Sequence, residues 1–133
     1  MITAVDTSVL LDVLSGDPDH GPRSAVALRL ASAEGALVAS TVVWAEVVGA
    51  YDDPKAITAR LDRLELEHVA EDRDVAIAAG RVYRAYRRAG GTRRRILPDF
   101  LIGAHALTHA DRLLTRDRGF YRSHFAKLTI LEP

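Results

Sequence analysis

Four carboxylates of this chain stand among residues that bury. Asp6 ends the run Ile2-Thr3-Ala4-Val5 and is followed by Thr7-Ser8. Glu46 is the one charge between Thr41 and Tyr51, Asp99 lies between Leu97-Pro98 and Phe100-Leu101-Ile102, and Asp117 follows Leu113-Leu114-Thr115. A carboxylate is seldom buried unless it is paired or bound to a metal. Like charges about 4 Å apart repel by ~1 kcal/mol in water and ~4 kcal/mol at the dielectric of a protein surface, so converging acids call for a divalent cation. All-oxygen ligands select Mg²⁺ or Mn²⁺ over zinc. One such ion activates a water and neutralises charge on a phosphoryl oxygen, and a second could stabilise the leaving oxygen. For any one acid taken alone, the competing reading is a helix cap or a surface residue.

The elements that would position these acids follow from the apolar pattern. The opening run reads as a strand feeding a helix at Asp6, and Ala25 to Ala33 carry a second helix that ends near Glu34-Gly35. A strand over Leu37 to Ser40 precedes a helix over Val42 to Tyr51. Asp53-Pro54 starts a short amphipathic helix, and Leu66 to Val69 form a strand. Acids at Glu71, Asp72 and Asp74 open a long helix with Val75, Ala78, Ala79, Val82, Tyr86 and Ala89 as its buried stripe, stopped by Gly90-Gly91. Pro98 opens a helix to about His109, Arg112 to Thr115 form a strand, Arg116 to Gly119 read as a turn, and Thr129 to Leu131 close the chain as a strand.

Five strands alternating with helices predict one α/β domain over residues 1–133, with a mostly parallel sheet covered by helices on both faces. In such a sheet Asp6 and Asp117, just past strand ends, open on the edge where ligands bind, and Asp99 sits in the first turn of a helix. Sequence alone does not bring Glu46 to them. Thr7, Ser8 and Thr115 are placed to bond a carboxylate, a metal water or a phosphate, with helix capping as the alternative for Thr7 and Ser8.

Charge is uneven along the chain. Residues 1–74 hold 14 acids against 6 Lys and Arg, and residues 75–133 hold 4 acids against 12, about −8 and +8 for a formal total of zero. The basic half predicts a polyanion-contacting surface. Arg81, Arg84, Arg87 and Arg88 lie on the long helix and Arg93, Arg94 and Arg95 on the loop toward Asp99, while Arg116 and Arg118 flank Asp117. For Arg81 and Arg84, pairing with acids on neighbouring helices is an equal alternative. Trp44, Tyr83, Tyr86 and Tyr121 are candidates to stack bases, although Trp44 and Tyr86 fall in apolar stripes. His105 and His109 share a helix face but lack a third ligand for zinc. The absence of cysteine removes disulfides, thiolate metal sites and cysteine nucleophiles. With no apolar run of membrane-spanning length and no leader-like start, the expected location is the cytoplasm.

Asp6-Thr7-Ser8-Val9-Leu10, then Thr41 and Glu46, then Asp99-Phe100-Leu101-Ile102-Gly103-Ala104, then Leu114-Thr115-Arg116-Asp117-Arg118-Gly119-Phe120 together resemble the PIN-domain nucleases. In size and the lack of an appended domain the chain is most similar to the VapC toxins of toxin–antitoxin pairs. The resemblance implies an endoribonuclease with Asp6, Glu46, Asp99 and Asp117 as catalytic acids and metal ligands around Mg²⁺ or Mn²⁺, and Thr115 as the hydroxyl beside the fourth acid. Hydrolysis by metal-activated water would leave a 3′-hydroxyl and a 5′-phosphate on RNA, with tRNA or rRNA loops as candidate substrates. It also implies a homodimer, a VapB-type antitoxin partner and RNA contact by Arg93, Arg94, Arg95, Arg116 and Arg118. A PIN-type nuclease that is not a toxin, or a catalytically silent RNA-binding protein, is the alternative. Phe100 is bulkier than the small residue often found after the third acid in that family.

Overall fold

The structure is a computed structural model that describes residues 1–92 and 96–133. Arg93, Arg94 and Arg95, expected to contact RNA, lie outside the described residues.

Five strands form one parallel sheet: β1 (Thr3–Val5), β2 (Leu37–Ala39), β3 (Leu66–His68), β4 (Arg112–Leu114) and β5 (Ile130–Leu131), in the order β3-β2-β1-β4-β5. Every residue of β1 and β2 is buried. A strand buried at consecutive positions is covered on both faces, which explains why its sequence is apolar throughout rather than alternating. The chain adds β2 and β3 on one side of β1, then returns to place β4 and β5 on the other. This reversal makes the gap beyond the carboxyl ends of β1 and β4 the topological switch point, where ligands of open α/β sheets bind.

Among the described residues seven helices connect the strands: α1 (Thr7–Ser15), α2 (Gly21–Glu34), α3 (Thr41–Gly49), α4 (Pro54–Arg63), α5 (Arg73–Arg88), α6 (Leu97–His109) and α7 (Arg118–His124). The first six match the sequence reading within a few residues. The seventh corrects it, because Arg116 to Gly119 lead through Asp117, the N-cap residue, into a helix. Ala89, expected in the buried stripe of α5, is instead its exposed C-cap.

Phe100, fully buried, joins the elements around the acids. Its ring meets Tyr83 and Tyr86 of α5 at centroid distances of 5.6 and 5.4 Å, and Phe120 and His124 of α7 at 5.2 and 5.3 Å. Aromatic pairs at such separations and tilts add packing energy beyond the area they bury. The bulk of Phe100 therefore has a structural use: it fixes the first turn of α6, with Asp99, against the helix that Asp117 caps. Trp44 and Tyr86 are partly buried and packed against the core, as their place in apolar stripes predicts.

Candidate active site

Parallel register builds the centre of the site. Val5 pairs with Leu114, and the Asp6 N–H donates to the Leu114 carbonyl at 3.0 Å, so the next residues, Asp6 and Thr115, leave the sheet side by side. Thr115 Oγ1 donates to Asp6 Oδ2 at 2.6 Å, and both residues are buried. Asp6 is also the N-cap of α1, its Oδ1 accepting the Thr7 N–H at 2.8 Å. The cap is thus the carboxylate itself, and the hydroxyls of Thr7 and Ser8 are not the caps. Ser8 Oγ donates to Asp6 Oδ2 at 3.3 Å, and Thr7 Oγ1 donates to Glu46 Oε1 at 2.8 Å.

Thr7 therefore brings Glu46 of α3 beside Asp6, a link with no local sequence signal. The N-terminus of α3 is held by Ser40, whose Oγ accepts from Val43 N–H, and by Glu71, which accepts the N–H groups of Thr41 and Val42 at 3.0 and 3.1 Å. Asp117 caps α7 through a long 3.5 Å bond from Phe120 N–H, and its own N–H donates to Thr115 Oγ1 at 3.0 Å. Asp6 is 6% exposed, Asp99 is half-buried, and Glu46 and Asp117 are exposed.

Burial pushes the Asp6 carboxyl above the usual carboxylate range, against the bonds from Thr115, Thr7 and Ser8, and the charge of Glu46 raises it further. The Tyr121 phenol titrates above its usual range. It is buried and displaced far upward by burial first, then by the charges of Asp6, Asp99, Asp117 and Glu46. Tyr121 is buried and is therefore not a base-stacking surface.

Among the described residues, no three His, Asp or Glu side chains converge closely enough to hold one ion between them. Asp6 and Glu46 are linked through Thr7, and Asp6 and Asp117 through Thr115. That arrangement suits Mg²⁺, which keeps several of its waters and takes one or two carboxylates directly. No ion pair among the described residues neutralises Asp6, so a cation there would offset the cost of its burial.

Arg116, Arg118, His105 and His109 make their polar contacts with groups other than the four acids. Arg116 is bonded to Asp12, and Arg118 to Glu132 at 3.0 and 3.2 Å, so both guanidinium groups described here are engaged by protein carboxylates. His105 is buried with Nε2 2.7 Å from the Val69 carbonyl. His109 Nε2 lies 2.7 Å from Asp72 Oδ2.

A family model described as the PIN domain matches residues 3–125. The chain belongs to the PIN domain family. PIN domains are nucleases, which suits acids at the switch point of a parallel sheet. No curated protein matches the chain by sequence. Among solved structures, this PIN domain is similar to VapBC2 from Rickettsia felis bound to a promoter DNA fragment, with TM-score 0.78, 19% identity and coverage of 100% of this chain and 99% of that one. It is also similar to VapBC-1 from nontypeable Haemophilus influenzae (TM-score 0.75, 15% identity, 99% and 98% covered) and FitAcB from Neisseria gonorrhoeae (0.69, 24%, 98% and 96%). At these identities the likeness establishes the fold. Among the described residues no helix is long and apolar enough to cross a membrane.

Proposed function

We propose that the whole chain, residues 1–133, is one PIN domain acting as a divalent-metal-dependent endoribonuclease, the toxin of a VapBC-type pair in the cytoplasm. The observation that carries this reading is the buried Asp6 carboxylate at the switch point of the sheet, linked to Glu46 through Thr7 and to Asp117 through Thr115. Asp6, Glu46, Asp99 and Asp117 would hold Mg²⁺ or Mn²⁺, directly or through water. Bound there, the ion supplies Lewis-acid activation of the attacking water and charge neutralisation at the scissile phosphate.

The residues of the chain do the rest. Thr115, Thr7 and Ser8 fix the carboxylate orientations by donating to Asp6 and Glu46. Phe100, buried beside Asp99, packs α6 against α7, the helix that Asp117 caps. Hydrolysis in this arrangement leaves a 3′-hydroxyl and a 5′-phosphate. A small VapB-type antitoxin is proposed from the fold likeness to VapBC pairs and to a toxin–antitoxin complex, and a homodimer from the resemblance to the VapC toxins.

The test uses the purified chain with a panel of structured RNAs, tRNA and rRNA loops among them. Expected are cleavage that needs Mg²⁺ or Mn²⁺, stops with chelator, leaves 5′-phosphate ends and is lost in Asp6→Asn and Asp99→Asn. Undiminished cleavage by those folded variants, or products with cyclic phosphate ends, would overturn the reading.

A further inference from the structure

Asp12 is the buried acid outside the quartet. It lies on α1, six positions after Asp6, in the apolar run Val9-Leu10-Leu11-Asp12-Val13-Leu14, and is 4% exposed. Arg116 binds it in a fork, Nε to Oδ2 at 2.7 Å and Nη2 to Oδ1 at 3.0 Å, and Ser24 Oγ of α2 donates to Oδ2 at 2.7 Å. The bidentate geometry fixes the direction of the guanidinium as well as its distance.

Arg116 stands between two residues of the site. Thr115 before it holds Asp6, and Asp117 after it is the fourth acid. Consecutive residues of the β4–α7 loop are thus tied to α1 at two levels, its N-cap and a point six residues on, about 9 Å along the helix axis. A segment held at one point can pivot. Held at two, it presents Asp117 in one orientation, with the Asp117 N–H bonded back to Thr115 Oγ1. Sinking a carboxylate into α1 is costly unless it is paired, and fixing a unique geometry is one use to which such buried pairs are put.

We propose that Asp12 and Arg116, with Ser24, form a positioning clamp for the Thr115–Asp117 loop, and that Arg116 acts on the site through Asp117 and not by contacting RNA. The consequence for metal and RNA rests on the nuclease reading above. The ordering of the loop does not.

The test compares Arg116→Gln, Asp12→Asn and the double variant in the full chain. Metal-free amide exchange by NMR reads the Asp117 N–H against the Leu113 N–H, which is bonded to the Thr129 carbonyl within the sheet and reports global opening. Expected in each single variant is an acceleration at Asp117 about tenfold greater than any at Leu113, which carries the global cost of breaking the pair. The double variant should add nothing to either single, because both remove one unit. Mn²⁺ titration followed by electron paramagnetic resonance should show affinity weakened about 10- to 100-fold, as for other groups that orient metal ligands. KM for RNA should stay near wild type.

Equal acceleration at Leu113 and Asp117, or additive effects in the double variant, would overturn the clamp. So would Arg116→Gln raising KM for RNA while leaving Mn²⁺ affinity intact. If Asp12→Asn does not fold, Arg116→Gln carries the decision, since its side chain is partly exposed and leaves Asp12 bonded to Ser24. If the wild type neither binds Mn²⁺ nor cuts RNA, the nuclease reading fails and the exchange measurement still decides the clamp.

Discussion

Thr115 donates its hydroxyl to Asp6 across 109 residues of chain, joining the ends of two neighbouring strands at 2.6 Å. The bond exists because β1 and β4 pair in a register that ends at Val5 and Leu114, leaving the next residue of each strand at the sheet's edge. Hydrogen bonds to a charged group contribute about 1.5–3 kcal/mol, roughly twice the value for neutral pairs. Thr115→Val keeps the shape and removes the donor. Its Asp6 carboxyl should titrate higher still, and Mn²⁺ binding, followed calorimetrically, should weaken by about tenfold. An unchanged Asp6 titration in this variant would mean that the bond does not form in solution.

Asp6 makes stability depend on pH and, on the proposed function, on metal. Its native pKa is raised above 3.8, chiefly by burial, so the native state holds its proton more tightly than the unfolded chain does. The contribution of Asp6 to stability is therefore fully present below pH 3.8 and is lost as pH rises through the native pKa. At neutral pH without metal, Asp6→Asn should melt above wild type, since Asn also caps a helix well and carries no charge to bury. Addition of Mg²⁺ or Mn²⁺ should raise the wild-type Tm and leave that of Asp6→Asn nearly unmoved. Thermal scans at several pH values, with and without metal, test both statements.

His105 runs the opposite way. Burial depresses its pKa below 6.5, against the Val69 carbonyl and the nearby charges of Glu71 and Asp72, with His109 adding to the depression. A histidine kept neutral in the fold contributes stability that is present above pH 6.5 and is lost as pH falls toward the depressed native value. His105→Gln retains a donor for the Val69 carbonyl and removes the titration. Denaturant midpoints measured between pH 7 and 5 should fall more steeply for wild type than for His105→Gln. Parallel slopes would remove His105 as the source.

Three of the four acids were legible because their places follow from local rules. Asp6 closes an apolar run that forms a strand, Asp117 follows the end of another by three residues, and Asp99 follows a proline that starts a helix. Glu46 was visible as a charge in an apolar run, but its partner Thr7 is 39 residues away and is joined only by the packing of α1 on α3. Helix α7 was hidden because seven residues are too few for a periodic stripe, and Arg116-Asp117-Arg118-Gly119 has turn composition. The burial of Tyr121 was hidden with it. Asp12 carried the same signal as Glu46, a charge in a run of Val and Leu, yet its pairing with Arg116 spans 104 residues and has no local signature. Glu71 likewise caps α3 from 30 residues away, beside the local cap at Ser40.

Two helical glycines separate packing from helix propensity. A methyl group on Gly103 of α6 would lie 2.4–2.8 Å from ring atoms of Phe125, which is itself buried just beyond α7. Gly80 of α5 has open space at the same position. Alanine favours either helix by about 1 kcal/mol over glycine, whereas overfilling a packed core costs about 1–3 kcal/mol. Gly80→Ala should therefore raise Tm. Gly103→Ala should lower it, because the Phe125 ring is enclosed and has Tyr121 and Phe100 at 6.3 Å from its centroid. The displacement would pass along α7 to its capping residue, Asp117, so Gly103→Ala should also weaken Mn²⁺ binding while Gly80→Ala leaves it unchanged. Equal Tm shifts in the two variants would place propensity above packing at this contact.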